Sequence, residues 1–547
     1  MKIKIVMLAG LAVLLCLLWG CREDGPAETE KRLPESLKNA DLSQHLEISI
    51  GFWNIQAMEN SKEKDGVWRY LEDLFNVTIQ PVNLNWSDYN ERYLVMGVSD
   101  SLPDIFAATT ITGTSENNAL SLTDMISRKM LTPLPDDLSG YPEVKKTVDS
   151  LQHFLEQKDG KIYTFPRTSF GDMDLSSSDA GLLVRKDWLN NLGLKAPESL
   201  DEFIDMTVAF ATQDPDGNGA DDTLGYNVGN RTALGKWLIL GIAPECNVYT
   251  WVKKDGKFLP SYLLPEFEDV VKAYRKLYVS GGLDPEFYLK KTVDSVYDFA
   301  RGKLGALEYK TSPAALSEIK AYWNHYHDET EPFEDAVSIL NIFPCADGKR
   351  YSNSSSPFWS ESLFSSHVDE EKMERILYLY EYLLSEEGWY LTRFGIEGED
   401  YNLKNGEYTC LLDTSSENVS ELLLKKYPSL NLFTSLASWG GSDDDFVSSE
   451  QNNKRYGRKI MEMSNGTLHW NQENTTMVER PYDFLQMSKE ESDIFSTSTM
   501  IDEFTKVIIG EEDPVDMWHE VIRRWENDGI QTYIDDLNKQ AEMLNIK

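Results

Sequence analysis

The sequence predicts an α/β protein of at least two lobes. The folded part opens in strand, helix, strand order. Leu46-Glu47-Ile48-Ser49-Ile50 alternates as a strand, Trp68, Leu71, Leu74 and Phe75 recur at helical spacing, and Val77-Thr78-Ile79 makes a second strand. A period of two that gives way to 3.6 and back is the pattern of a parallel sheet covered by helices. Length supplies the second argument: the chain has 547 residues, more than one hydrophobic core usually organises.

Ahead of that unit, Lys2 and Lys4 precede an apolar run from Ile5 to Leu18, and Leu18-Trp19-Gly20-Cys21 follows. The run falls short of the about 20 apolar residues that span a bilayer. With a small residue directly before the cysteine and the charges Arg22-Glu23-Asp24 after it, residues 1–20 read as a lipoprotein signal peptide, preferred over an uncleaved anchor. Cys21 is the expected lipidation site, because two or three acyl chains hold a protein stably at a bilayer where one does not. Residues 21–45, charged and interrupted by Pro26 and Pro34, read as a flexible tether.

Further along, Tyr89 to Val98 reads as a helix and Leu102-Pro103-Asp104-Ile105-Phe106-Ala107 as a turn into a short buried strand. Glu266 to Tyr278 is amphipathic, with Phe267, Val270, Val271, Tyr274 and Leu277 inward, and Gly281-Gly282 stops it. Glu370 to Leu384 is a second clear helix, and Asp516 to Ile546 a third, with Trp518, Val521, Ile522 and Trp525 on one face. No internal repeat at a fixed period is visible.

The formal net charge is -38, and -40 once Lys2 and Lys4 leave with the signal segment. Such a surface repels nucleic acid and anionic lipid headgroups. The densest basic stretch, Lys454-Arg455-Tyr456-Gly457-Arg458-Lys459, is short and lies between acidic segments. With Cys21 acylated, Cys246, Cys345 and Cys410 remain, an odd and widely spaced set that implies no disulfide framework. His325 and His327 are the one close histidine pair and read as a polar surface segment rather than a zinc site.

The sharpest chemical motif is Asp214-Pro215-Asp216-Gly217-Asn218-Gly219-Ala220-Asp221-Asp222-Thr223. Oxygen side chains stand at loop positions 1, 3, 5 and 9, glycine at 6 and a backbone carbonyl at 7, as in the first part of an EF-hand loop. A complete loop ends on a bidentate Glu at position 12, where this chain has Gly225. The expected calcium ligands are Asp214, Asp216, Asn218 and Asp222 through side chains and Ala220 through its carbonyl, in a structural role. The bland alternative is an acidic turn held by Asx hydrogen bonds.

Several segments together resemble the extracellular solute-binding lipoproteins of ATP-driven carbohydrate importers, in particular the large family-1-like subgroup. They are Leu102-Pro103-Asp104-Ile105, Gly160 to Pro166, Leu183 to Leu194, Pro197 to Phe203, Gly282 to Phe287, Gly302 to Gly305 and Gly395 to Tyr401. The resemblance covers 46 to about 405; no motif matches beyond. It implies a periplasmic-binding-protein-like fold, two α/β lobes joined by hinge segments with ligand in the interlobe cleft. It also implies a calcium ion in the Asp214–Asp222 loop, where similar proteins often carry Glu directly after the last Asp and this chain has Thr223. The approximate lobes expected are 46–165 with 296–350, and 166–295 with 351–547. The implied partners are a carbohydrate and a membrane permease pair, the chain itself being monomeric, lipid-anchored outside the cytoplasm and without catalysis.

A sugar in such a cleft needs aromatic faces and paired polar groups. Trp53, Asn54 and Asp104 stand at expected strand ends, where parallel sheets open to ligand. Arg167, Trp359 and Trp439 lie in Ser- or Gly-rich surroundings. These six are the candidate ligand residues. The alternative is a lipid-anchored polysaccharide-degrading enzyme, which needs two carboxylates about 5 to 10 Å apart such as Asp284 and Glu286.

Overall fold

A computed structural model describes residues 33–85, 88–111, 122–157, 159–169, 181–228, 234–246, 251–290, 292–328, 330–353, 357–404, 407–414, 418–439, 446–478, 494–495 and 497–543. Cys21 lies outside them. Among the described residues no helix is long and apolar enough to cross a membrane.

The strands are β1 (Leu46–Trp53), β2 (Val77–Leu84), β3 (Ile105–Ala108), β4 (Thr164–Thr168), β5 (Gly181–Arg185), β6 (Leu224–Val228), β7 (Trp251–Lys254), β8 (Lys257–Pro260), β9 (Leu304–Tyr309), β10 (Val337–Leu340), β11 (Tyr351–Asn353), β12 (Phe358–Phe364), β13 (Tyr401–Lys404), β14 (Glu407–Cys410) and β15 (Thr476–Val478). Among the described residues nine of them form two larger sheets, and the other six pair as β7-β8, β11-β15 and β13-β14. The first runs β2-β1-β3-β12-β4 and the second β10-β5-β9-β6. In the first, β1 is parallel to β2 and β3, as the strand, helix, strand pattern requires, while β12 is antiparallel to both β3 and β4. In the second, β6 is parallel to β9, and β5 is antiparallel to β9 and β10.

The opening unit forms for local reasons. Asp65 caps the helix Gly66–Phe75 by accepting the Trp68 N–H, and Asn76 ends it in the left-handed region at φ 48°. The buried face is Val67, Trp68, Leu71, Leu74 and Phe75, each worth roughly 1.5–3 kcal/mol on full burial.

Each sheet carries its own core. One apolar cluster joins Ile50, Phe106 and Phe165 to Leu363, Tyr380 and Phe433; a second joins Val184, Tyr226 and Phe267 to Phe504, Trp518 and Tyr533. The lobes therefore divide differently from the sequence expectation. Strands β9 and β10, expected in the first lobe within 296–350, pair with β5 in the second sheet. Strand β12, expected in the second lobe, lies between β3 and β4 in the first. The chain passes between lobes three times, after β4, before β12 and after Trp439, because the central place beside β3 is filled by a strand far along the chain.

The tether is shorter than expected. Leu37 is buried, Ser36 Oγ donates to Glu381 at 2.9 Å, and Arg375 holds the carbonyls of Asp41 and Gln44, so the chain from Leu33 already packs on the first lobe. The helices Tyr89–Val98 and Glu370–Leu384 have the expected ends, and Phe267–Val279 is displaced by one residue. The C-terminal helix is two, Pro514–Asn527 and Ile530–Met543, broken at Gly529, whose φ of +96° suits glycine alone. Both pack Trp518, Trp525 and Tyr533 into the second lobe, which explains why a tail without motifs is retained.

Candidate functional site

Strand β1 ends in Phe52 and Trp53, and the chain turns sharply at Asn54, exposed and at φ 58°, whose N–H bonds the Leu84 carbonyl at 3.0 Å. Across the sheet, β4 presents Arg167. Its guanidinium lies 5.2 Å from the Phe52 ring, 5.3 Å from Trp53 and 5.6 Å from Trp439, a cation among three π faces. Trp53 and Trp439 are nearly parallel, 12° apart with centroids at 6.4 Å.

Neighbouring β12 supplies the polar frame. Arg167 Nε donates to Ser360 Oγ at 3.1 Å and Nη1 to Ser362 Oγ at 2.9 Å, while Trp439 Nε1 donates to the same Ser360 Oγ at 2.9 Å. The Trp439 backbone N–H bonds the Thr168 carbonyl at 3.0 Å, which ties the last segment of the first lobe to β4. Between the two serines, Glu361 is fully buried and receives the N–H groups of Thr110 and Ile111, just past the C-terminal end of β3, and the Thr110 hydroxyl at 2.5 Å. Burial pushes its carboxyl up to about 7 against those bonds and the nearby Arg167; burial likewise holds Arg167 down to about 10. Among the described residues, Arg167 Nη2 and Glu361 Oε2 meet no hydrogen-bonding partner.

The structure thus brings Trp53, Arg167 and Trp439 together, with Asn54 beside them. Asp104 is elsewhere. It precedes β3, at the opposite end of the parallel strands, and its carboxylate accepts the N–H and hydroxyl of Ser49 and pairs with Lys372 at 2.8 Å. Those partners consume it, so the expectation of a ligand contact at Asp104 is corrected. Trp359 lies on β12, its side chain outside the described residues. The sequence reading missed Ser360, Glu361 and Ser362, although a carboxylate between two serines inside a strand with Phe358, Leu363 and Phe364 at its ends was a visible signal.

In the second lobe, Glu308 on β9 takes a parallel position. Its carboxylate accepts the N–H of Trp237 at 2.8 Å, the N–H of Leu238 at 3.3 Å and the Tyr226 hydroxyl at 2.9 Å, and burial pushes it up to about 7. Asp284, the carboxylate of the enzyme alternative, is buried near the end of β6. It is held by Asn227 at 2.8 Å and by Lys290, which also pairs with Asp298, both at 2.5 Å. Asp284 Oδ1 accepts the Glu286 N–H at 3.0 Å, a turn-capping contact rather than an acid and base facing each other across a cleft.

The Asp214–Asp222 loop joins the helix Leu200–Thr212 to β6. Asp214 has φ 47°, Gly217 69° and Gly219 78°, the tight reversals that turn alternate side chains inward. Asn218 Nδ2 donates to Asp216 at 2.8 Å and to Asp222 at 3.2 Å, and Asp214 accepts the Gly219 N–H at 3.0 Å. Burial and the neighbouring Asp214 and Asp222 raise the Asp216 carboxyl. Among the described residues no group of three or more His, Cys, Asp or Glu side chains is disposed to hold a metal. Thr223 turns into the core, its hydroxyl bonding the Phe210 carbonyl at 2.8 Å. A Cβ at Gly225 would lie 2.3 Å from the carbonyl oxygens of Gly282 and Thr207, so the twelfth loop position belongs to the sheet and admits no Glu.

Comparison with known proteins bears on all of this. No protein-family model matches the chain. Over 485 residues it is 24% identical to lipoprotein LipO of Bacillus subtilis (strain 168), covering 86% of this chain and 88% of that one. It is 26% identical over 352 residues to the polygalacturonan/rhamnogalacturonan-binding protein YtcQ of the same organism, 64% of this chain and 66% of the relative. Among solved structures, the Streptococcus pneumoniae ABC-transporter substrate-binding protein FusA in complex with kestose superposes with a TM-score of 0.65 at 17% identity, over 92% of this chain and 99% of that one. The alginate-binding protein AlgQ2, solved without calcium ion, also gives 0.65, at 16% identity over 91% and 98%. The chain has the two-lobe solute-binding-protein fold. The family resemblance read from the sequence holds. FusA has also been solved as an EF-hand mutant, so a loop of this type occurs within the fold.

Proposed function

We propose that the protein captures a carbohydrate, an oligosaccharide by the company it keeps, between its lobes and delivers it to the permease of an ABC importer. The observation that carries this reading is the Trp53, Arg167 and Trp439 cluster at the C-terminal end of β1, where open α/β sheets bind ligand, with buried polar atoms still to be matched. Relatives that bind polygalacturonan and fructooligosaccharides support it. Asn54 and Trp359 are the further candidate contacts. Catalysis is not part of the proposal. Acylation of Cys21 after removal of residues 1–20 would hold the chain on the outer face of the cytoplasmic membrane, as a monomer, and the similarity to LipO supports that location.

Calcium belongs to the same proposal. Asp214, Asp216, Asn218 and Asp222 with the Ala220 carbonyl offer only hard oxygen donors, the kind a calcium ion takes. The ion's contribution is structural, locking the turn that leads into β6.

The test is the melting temperature of the purified protein with a panel of saccharides, with calcium or chelator, while products are assayed. Saturable stabilisation without consumption is expected, since a ligand that binds only the folded state raises stability. Appearance of shorter saccharides would instead identify an enzyme.

A further inference from the structure

The first lobe has a cavity of about 190 Å³ beside the start of β3 and the end of β12, at the opposite end of the parallel strands from Trp53. Two reversals of the chain build it. After the helix Tyr89–Val98 the backbone turns at Asp100, φ 53°, on its way into β3. After the helix Leu122–Ser127 it turns at Lys129, φ 56°, and the Met130 carbonyl accepts the Ser366 N–H at 2.8 Å. Arg128 and Lys129 thereby share one cavity wall with Ser365 and His367, just past β12.

The wall is basic in an acidic chain. The sequence has 91 Asp and Glu against 53 Lys and Arg, so a cation has every opportunity to form an ion pair. Among the described residues Arg128 and Lys129 form none. Asp100 is the one acid among the described lining residues, and its Oδ1 lies 3.5 Å from His367 Nε2. Ser365 supplies an independent sign. It is 1% exposed, its N–H bonds the Asp104 carbonyl at 3.0 Å and its carbonyl takes the Thr132 hydroxyl at 3.1 Å, yet its own hydroxyl meets no hydrogen-bonding partner among the described residues. A buried hydroxyl left so is costly. Cations that follow a helix complement its last carbonyls, which would account for Arg128 and Lys129 alone but gives the Ser365 hydroxyl nothing to meet.

We infer that this cavity is a site for a phosphate-class oxyanion, attracted by Arg128 and Lys129 and accepting the Ser365 hydroxyl. An oxyanion offers only acceptors, which these donors match. The volume is below the roughly 300 Å³ at which sites for larger organic ligands begin, so a small group fits. Two sources share this chemistry. One is a free phosphate; the other is a lipid headgroup, because Val95 and Val98, on the helix that forms one side of the cavity, are 67% and 78% exposed and could meet acyl chains. The site lies away from Trp53, Arg167 and Trp439 and does not depend on saccharide capture.

The full-length chain in neutral detergent is titrated by calorimetry with sodium phosphate, with sodium chloride at equal ionic strength, and with dibutanoyl phosphatidylglycerol, a water-soluble lipid. Saturation by a phosphate-bearing probe and none by chloride is expected. Tighter binding of the lipid than of phosphate assigns the site to a headgroup; equal or weaker binding assigns it to a free phosphate. Arg128→Gln combined with Lys129→Gln should weaken the probe at least about tenfold, the weight of one charge-assisted hydrogen bond, with saccharide affinity unchanged. Ser365→Ala should weaken it too, with the melting temperature unchanged or raised. No saturation by either probe, or equal affinity in the double variant, overturns the inference and leaves saccharide capture standing.

Discussion

The two lobes bury a glutamate in the same position and finish it differently. Glu308 in the second lobe has both oxygens engaged, by Trp237, Leu238 and the Tyr226 hydroxyl. Glu361 in the first lobe binds the start of the loop after β3 through one oxygen and leaves the other, with Arg167 Nη2, unmatched. A buried polar atom without a partner is costly, so a protein keeps one where something else completes it. In the reading proposed above the first lobe, where an aromatic wall stands beside Arg167, meets the ligand, whereas Glu308 in the second lobe is completed by its own fold.

The largest expected effect is at Trp53, in the first lobe. Its side chain is buried against Phe52, Tyr89 and Trp439. Trp53→Ala is expected to cost about 3–5 kcal/mol in urea unfolding. Trp439→Ala, at a partly buried position, is expected to cost clearly less and to lose ligand affinity all the same. Equal stability losses would mean both rings are merely core.

Next is a pH effect that the lobes share. Both glutamates are raised from 4.5 to about 7 in the folded protein, so the native state holds their protons more tightly than the unfolded chain. Their favourable share is fully present below about 4.5 and is lost as pH rises through 7, on the order of 3 kcal/mol for each group. Urea midpoints measured from pH 5 to 8 should fall more steeply for the parent than for Glu308→Gln or Glu361→Gln. Only the latter should also change ligand affinity, and an equal change in both would erase the distinction between lobes.

Smaller effects are expected at the acidic loop. Gly225→Glu, which restores the twelfth EF-hand residue, should destabilise by about 1–3 kcal/mol through crowding of the Gly282 and Thr207 carbonyls, without tightening calcium. Asp216→Asn should raise the melting temperature in chelator by removing a partly desolvated charge that also faces Asp214 and Asp222, and should abolish any rise on adding calcium. A calcium response that survives in Asp216→Asn would point to a binding place outside this loop.

Local pattern carried much of this into view. Helix ends such as Tyr89–Val98 and Glu370–Leu384 follow from periodicity and capping, which act within a few residues. The lobe boundaries did not follow, because β12 joins β3 and β4 across some two hundred residues and nothing local announces that pairing. Of the site, Trp53, Arg167 and Trp439 were readable as residue types in suitable surroundings, yet their convergence depends on the same distant strand. Asp104 misled because it was grouped with strand ends although it precedes β3, and open parallel sheets bind ligand at the opposite, C-terminal ends of their strands. Glu361 was hidden for the opposite reason: its role is set by backbone N–H groups of β3's far end, which have no sequence identity.

The most direct measurement is calorimetric titration of the parent and Trp439→Ala with the saccharide that raises the melting temperature, with products assayed in the same cell. Saturable binding by the parent without product, weakened at least tenfold in Trp439→Ala, is the result expected of saccharide capture at the first-lobe cluster. Equal affinity in both proteins, or turnover of the saccharide, would contradict it.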